Sequence, residues 1–334
     1  MNLPPLVRLL LWPLSVVYGG YVRLRAWFYA KGWLKQKRLR GKVISVGNLT
    51  VGGTGKTPMV IWLAERFLAE GKRVAILSRG YRGSGGTSDE IELMKHRLQK
   101  KVIFGVGKDR YAEGHHIEQE QLIDIFLLDD GFQHLPLARD LDILLMDASR
   151  PVHRASLLPA GSLREPVSAM SRADLLVFTR VSAQAGTLKA IETLNDYPVF
   201  AAVTSLIGFR LQGDAALLQV HEIGTGPFFA FCAIGNPDAF LRDLQSWNVP
   251  LAGKKYFPDH HRYTASDVKS LEEAAQSVAA KAFVTTEKDV HNLPGIKFKV
   301  LPLYVVAIDL KIEPEGEFQT AIDSFLQLES GAPA

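Results

Sequence analysis

The chain has 334 residues, 47% hydrophobic and 22% charged, with a formal net charge of +4. That apolar share excludes a disordered chain, and the length favours two domains over one. The single Cys232 excludes an intramolecular disulfide and points to a reducing compartment, while nine scattered His beside one Cys give no zinc-type spacing.

The charge is unevenly placed. No acidic residue precedes Glu65, whereas Arg8, Arg23, Arg25, Lys31, Lys35, Lys37, Arg38, Arg40, Lys42 and Lys56 do. Leu9 to Val22 are uncharged and largely apolar, interrupted by Pro13 and Gly19-Gly20. Such a stretch falls short of the roughly 20 residues a spanning helix needs, and no small-residue cleavage pattern follows it. Next, Trp27, Phe28, Tyr29 and Trp33 alternate with basic residues. Aromatic and basic residues without acids suit an anionic membrane interface, so residues 1–40 read as a membrane-interface region. A packed helix with a solvated basic face is the plainer alternative. No nucleic-acid motif accompanies the patch.

Lys42 to Val46 is a short β-branched run that reads as a buried strand. It leads into Gly47-Asn48-Leu49-Thr50-Val51-Gly52-Gly53-Thr54-Gly55-Lys56-Thr57-Pro58, and then into a helix with Pro58 in its first turn. Strand, glycine-rich turn, Gly-Lys-Thr and helix make a P-loop. Backbone N–H groups from Thr50, Val51, Gly52, Gly53, Thr54, Gly55, Lys56 and Thr57 would cradle the phosphates of a nucleotide, helped by the helix N-terminus. Lys56 would reach the β- and γ-phosphates and the Thr57 hydroxyl would ligate Mg²⁺. Thr50 stands where the usual pattern has its first Gly, and Gly52-Gly53 supply the flexibility instead.

Arg73 to Leu77 is a second strand, ending in Ser78-Arg79-Gly80-Tyr81-Arg82-Gly83, a polar turn of the kind that holds ligands in α/β sheets. Ser84 to Ser88 read as a mobile loop with Asp89-Glu90 at its far edge. Lys101 to Val106 is a strand, and Gly107 to Arg110 opens a helix to about Glu120. Asp124 to Asp130 is an apolar strand ending in Asp129 and Asp130, the Walker B form that holds Mg²⁺ opposite a P-loop. Further strands at 142–147, 173–178 and 198–203 complete a P-loop NTPase-like α/β core over 41–205, a parallel sheet with helices on both faces. Residues 206–226 read as a β-type linker. Residues 227–334 read as a smaller C-terminal α/β domain, with strands at 227–231, 282–289 and 301–308 and helices at 237–247, from Thr264 or Ser266, and at 318–328.

The P-loop stretch, Leu77-Ser78-Arg79-Gly80-Tyr81, Asp89-Glu90, Asp129-Asp130-Gly131-Phe132-Gln133-His134, Leu158-Pro159-Ala160-Gly161 with Leu163-Arg164-Glu165-Pro166, Phe257-Pro258-Asp259-His260 and Thr285-Thr286-Glu287-Lys288-Asp289 together closely resemble the tetraacyldisaccharide 4′-kinases, the lipid A 4′-kinases of Gram-negative envelope synthesis. The resemblance runs in order over nearly the whole chain. It departs between Gly83 and Lys101, where the segment is shorter than usual and Ile91 stands where the family often has Pro. It implies transfer of the ATP γ-phosphate to the 4′-hydroxyl of tetraacyldisaccharide 1-phosphate, giving lipid IVA. It also implies a peripheral enzyme on the cytoplasmic face of the inner membrane, facing a glycolipid and no nucleic acid. By the resemblance Asp89 is the general base and His260 its hydrogen-bonding support, with His261 beside it. Glu90 is then a metal or water ligand, and Arg110, His134 and Arg79 meet the sugar and phosphate end of the substrate. The residues alone also allow Asp259-His260 to cap the following helix. The second domain is expected to close on the first and exclude water. A P-loop switch would need a guanine motif whose spacing Thr286-Glu287-Lys288-Asp289 does not have, and a membrane scaffold would not need Asp89, His260 and paired Asp129-Asp130.

Overall fold

The computed structural model describes residues 4–80, 89–150, 152, 155–181, 197–293, 295 and 298–327. The turn at Tyr81 to Gly83 and the loop expected at Ser84 to Ser88 lie outside them. The chain forms two compact units. The first comprises Met1–Tyr81, Arg97–Val203 and Leu310–Ala334, and the second Arg82–His96 and Thr204–Asp309. Chain order alone placed Asp89-Glu90 in the core domain and the last helix in the C-terminal one. The structure groups each with the other unit.

The first unit is built on strands β1 (Lys42–Asn48), β2 (Val74–Ser78), β3 (Ile103–Val106), β4 (Ile125–Asp129), β5 (Leu141–Asp147), β6 (Leu175–Thr179) and the start of β7 (Val199–Leu211). Their order is β3-β2-β4-β1-β5-β6-β7, and every neighbour pair is parallel. The strands are near-continuous apolar runs because both faces are covered. Ala75, Leu77, Phe126 and Leu128 cluster with Ile117 of α4 (Arg110–Glu120). Helix α2 (Lys56–Ala69) packs on β4 and β1. Helix α8 (Glu315–Leu326) belongs here through Phe318, whose ring meets Trp62 and Phe200 at 5.6 and 4.8 Å, and through Asp323, 2.6 Å from Arg66. Sheet order reverses at β1, so the carboxyl ends of β1, β2, β4, β5 and β6 share one edge around the reversal point, where α/β sheets bind ligands.

Helix α1 is continuous from Pro5 to Ala30, through Pro13 and Gly19-Gly20. The expected interruption of its apolar stretch is therefore corrected, and the helix is long and apolar enough to cross a membrane by length and composition. Packing overrides the local breakers. The buried Ser15 hydroxyl donates to the Leu157 carbonyl and accepts the Ala160 N–H, both at 3.0 Å, and Tyr18 Oη donates to the Arg164 carbonyl at 2.8 Å. Gly19 is buried where a Cβ would come within 2.7 Å of Leu157.

The second unit orders the rest of β7, then β11 (Leu303–Glu313), β10 (Ala282–Thr286), β8 (Phe228–Cys232) and β9 (Leu251–Tyr256), the last four in parallel pairs. Alternation splits its core. Phe228, Ala230 and Val284 face Leu241 and Leu244 of α5 (Pro237–Ser246), while Phe229, Phe231 and Phe283 face Leu271 and Ala275 of α6 (Ala265–Ser277). The expected linker begins as strand: residues 206–211 extend β7, with Phe209 bridged to Leu218. Edge strand β9, with its weak pattern of burial, and helix α3 (Asp89–Leu98) were not legible in the sequence. The strand expected to run to Asp289 stops at Thr286, whose side chain accepts the Asp289 N–H and starts helix α7 (Glu287–His291).

Candidate active site

The first unit holds the phosphate cradle. After β1 the chain is fastened to the 157–164 loop: the Val51 N–H donates to Ser162 at 2.8 Å and the Arg164 N–H to Leu49 at 2.7 Å. Gly52 (φ +112°) and Gly55 (φ +85°) adopt left-handed backbone that side chains disfavour, and Gly55 caps α2. Lys56 and Thr57 open that helix, so their N–H groups have no partner within it. At the end of β6, Arg180 donates to the Gly53 carbonyl at 2.9 Å and to Asp147, bracing the loop from the far side.

Register aligns Val46 of β1 with Asp129 of β4, bringing the strand-end carboxylates beside the P-loop. The two differ. Buried Asp129 accepts from Ser78 Oγ at 3.3 Å. Asp130, left-handed at φ +51°, accepts from Arg164 Nη1 at 2.6 and 2.8 Å and lies 3.5 Å from Lys56 Nζ. Burial alone would raise the Asp130 pKa, but Lys56 and Arg164 hold it below the usual carboxylate value. Thr57, Asp129 and Asp130 are hard oxygen donors of the kind Mg²⁺ takes together with waters and phosphate oxygens. Among the described residues no group of three or more His, Cys, Asp or Glu is arranged to hold a metal ion by itself.

Next to these carboxylates, buried Arg110 starts α4 and donates from Nη1 to His134 Nδ1 at 3.2 Å. A guanidinium only donates, so Nδ1 accepts and the His134 proton sits on Nε2. That Nε2 and Arg110 Nε are buried with no partner in the protein. Burial first, then the Arg110 charge, pushes the His134 pKa down to about 4. Both donors therefore have capacity for an oxygen-rich ligand. Arg79 is exposed, and its charge acts on Arg110.

The second unit holds an Asp–His pair. Asp89, the first residue of α3, has 7% of its side chain exposed, and both its oxygens meet His260 Nδ1, at 2.9 and 3.0 Å. Lys288 lies 3.5 Å from Asp89 and Asn292 Nδ2 3.4 Å from it. Burial works to raise the Asp89 pKa, but the His260 hydrogen bond and the Lys288 charge bring it down to about 2. The hydrogen bond to Asp89 raises His260 in turn. His261 points elsewhere: it bonds Asp267 at 3.0 Å and stacks on Phe257. Thr264 and Asp267 form the capping box of α6, so Asp259-His260 is not its cap. Glu90 shares the second unit with Asp89, 3.9 Å from Lys288.

Sequence reasoning assigned no role to Lys288, Asn292, Arg164 or Arg180. Lys288 and Arg164 fall within the motifs shared with the kinase family, which is the one available signal. Asn292 and Arg180 carried none.

A phosphate cradle at the reversal point of a parallel sheet defines a P-loop, NTPase-like protein. Residues 7–327 match the family described as tetraacyldisaccharide-1-P 4′-kinase. The tetraacyldisaccharide 4′-kinase of Geobacter metallireducens is 40% identical over 96% of this chain and 99% of its own. That of Syntrophobacter fumaroxidans is 37% identical over 89% and 82%. A crystal structure of LpxK from Aquifex aeolicus in complex with ATP is 31% identical, covers 96% of this chain and 99% of that one, and superposes with a TM-score of 0.74. The chain belongs to the tetraacyldisaccharide 4′-kinase family.

Proposed function

We infer that this protein is the kinase that transfers the γ-phosphate of ATP to the 4′-hydroxyl of tetraacyldisaccharide 1-phosphate. The observation that carries the reading beyond nucleotide binding is the Asp89–His260 pair: a switch or scaffold needs no positioned base. The first unit carries the P-loop groups and the second the Asp89–His260 pair. Phosphoryl transfer asks for positioning and charge neutralisation more than covalent help. The N–H groups of Thr50 to Thr57 hold the phosphates, and Lys56 offsets the charge shared by the β- and γ-groups. Thr57 with Asp129 and Asp130 would hold Mg²⁺, whose charge adds to that neutralisation. Glu90 is a further metal or water ligand. As the acceptor oxygen bonds to the γ-phosphorus, the bond to the bridging oxygen breaks and its electron pair leaves with ADP. Asp89 takes the hydroxyl proton. Arg110 and His134, with Arg79 at the rim, meet the sugar and phosphate end of the acceptor.

An acceptor with four acyl chains stays in a bilayer, and α1 is suited to meet it there. Its small-residue side is fixed to the first unit by Ser15, Tyr18 and Gly19, while Leu6, Leu9, Leu10, Trp12, Val17 and Tyr21 are all exposed. Arg25 donates to the Gln133 carbonyl at 3.1 Å, so contacts run from Ser15 to Arg25, about 15 Å of helix. A helix tied down over that length lies along a membrane interface rather than across it. The acid-free basic N-terminus and the reducing-compartment signal favour the anionic, cytoplasmic face of the inner membrane.

The test is γ-phosphate transfer to tetraacyldisaccharide 1-phosphate in detergent micelles with Mg²⁺, comparing wild type with Asp89→Ala. Phosphorylated lipid from the wild type and a loss of at least about a hundredfold in the variant are expected. ATP binding without lipid product would overturn the kinase reading.

A further inference from the structure

The stretch Thr285-Thr286-Glu287-Lys288-Asp289 has no part in the mechanism above, yet it sits directly under the Asp89–His260 pair. Asp289 is fully buried. Its carboxylate accepts from the Ala233 N–H and Tyr263 Oη at 2.7 Å and from Thr286 Oγ1. Ala233 in turn accepts the His260 N–H at 3.2 Å, and Cys232 beside it accepts the Phe257 N–H at 2.9 Å. That anchorage holds His260 in a left-handed conformation (φ +62°) that a non-glycine residue keeps only where its surroundings impose it. One residue before Asp289, Lys288 meets Asp259 at 3.4 Å, Asp89 at 3.5 Å and Glu90 at 3.9 Å, with 18% of its side chain exposed. One turn on, Asn292 donates its N–H to the Asp289 carbonyl at 3.0 Å and its side chain to Asp89. A single five-residue helix thus carries groups that hold both members of the pair.

We propose that Lys288 is the positioning residue of the base: mounted on α7 by the buried Asp289 network, its ammonium holds the Asp89 carboxylate against His260 and offsets the mutual repulsion of Asp89, Glu90 and Asp259. The proposal rests on the reading of Asp89 as the base. Lys288 does not touch substrate; it acts through Asp89, so its loss falls on kcat and not on ATP affinity. Misplacement of a reacting group by about 1 Å can cost a hundredfold.

The test is a double-mutant cycle on the full chain in the lipid phosphorylation assay, using Lys288→Met, Asp89→Ala and the pair. Lys288→Met should lower kcat by about ten- to a hundredfold with KM for ATP within about twofold. On the Asp89→Ala background it should cost almost nothing further, because the group it positions is gone. Lys288→Arg, which keeps the charge, should recover most of the rate. It also carries the comparison, with Lys288→Gln, if the methionine variant fails to fold. Wild-type kcat in a folded Lys288→Met enzyme, full additivity with Asp89→Ala, or Lys288→Arg as slow as Lys288→Met would each overturn the proposal while leaving the base in place. An Asp89→Ala enzyme at the wild-type rate would overturn the base assignment and the proposal with it.

Discussion

Replacing His260 by Ala asks which member of the pair takes the proton. The substitution removes a charge-assisted hydrogen bond of 2.9–3.0 Å from Asp89. Bonds to charged groups contribute about 1.5–3 kcal/mol, which at 1.36 kcal/mol per decade is a rate loss of about ten- to 150-fold if all of it bears on the transition state. Asp89 itself stays, still held by Lys288 at 3.5 Å and Asn292 at 3.4 Å. Removing Asp89 instead deletes the base, about 10²–10⁴ in rate. Asp89→Ala should therefore be the slower enzyme, and the double variant should match it. The assay is initial-rate phosphorylation of the lipid acceptor at saturating ATP. A His260→Ala enzyme slower than Asp89→Ala would refute the assignment, making His260 the base and Asp89 its orienting partner. The pH profile gives the same decision by sign. The raised His260 pKa means that the charged pair persists above the ordinary imidazole value of 6.5. With Asp89 as base and protonated His260 as its donor, the rate falls as pH rises through that raised value. With His260 as base it climbs. The stability contributions follow the same signs: that of Asp89 is present above 3.8 and lost as pH falls toward about 2, and that of His260 is lost as pH rises through its own raised pKa.

His134 is lowered from 6.5 to about 4, so the folded chain binds its proton less readily than the unfolded one. Stability should fall by about 3 kcal/mol as pH drops from about 6.5 to 4, and His134→Gln should lose that slope in acid-unfolding curves; parallel curves would refute it. A Cβ at Gly47 would lie 2.5 Å from Phe132 Cβ and 2.7 Å from its backbone nitrogen. Gly47→Ala should thus cost about 1–3 kcal/mol and weaken ATP binding by shifting the turn that carries Asp130; an unchanged melting temperature would remove the packing argument. Leu10 and Leu14 of α1 are 75% and 58% exposed. Changing both to Glu should lower binding to anionic vesicles at least about tenfold at constant melting temperature, and undiminished flotation would sink the interfacial reading of α1.

The P-loop, the Walker B carboxylates and the parallel sheet were legible because each is a local pattern: β-branched runs, glycines at fixed offsets, a strand-end Asp pair. What was not legible depends on distant partners. Helix α1 reads as interrupted at Pro13 and Gly19, yet it stays whole because Ser15, Tyr18 and Gly19 dock on residues 157–164. The last helix joins the first unit through Phe318 and Asp323, whose partners Trp62 and Arg66 lie some 250 residues earlier. Asp89 and His260 were named only through family resemblance, since nothing in their spacing predicts a hydrogen bond across 171 positions.

The same logic explains why Lys288 escaped notice while Lys56 did not. Lys56 announces itself through its neighbours in sequence, because a P-loop needs its lysine at one offset from its glycines. Lys288 has no such offset. Its meaning comes from three carboxylates at positions 89, 90 and 259, and from the buried Asp289 beside it. A charged strand end reads as solvated surface until the fold shows that Asp289 is fully buried and spends its carboxylate on Ala233, Tyr263 and Thr286. A buried carboxylate satisfied by three donors is a costly way to end a strand unless its rigidity is used. Here the use is visible in what it holds: the loop of His260 on one side, and the helical turn bearing Lys288 and Asn292 on the other.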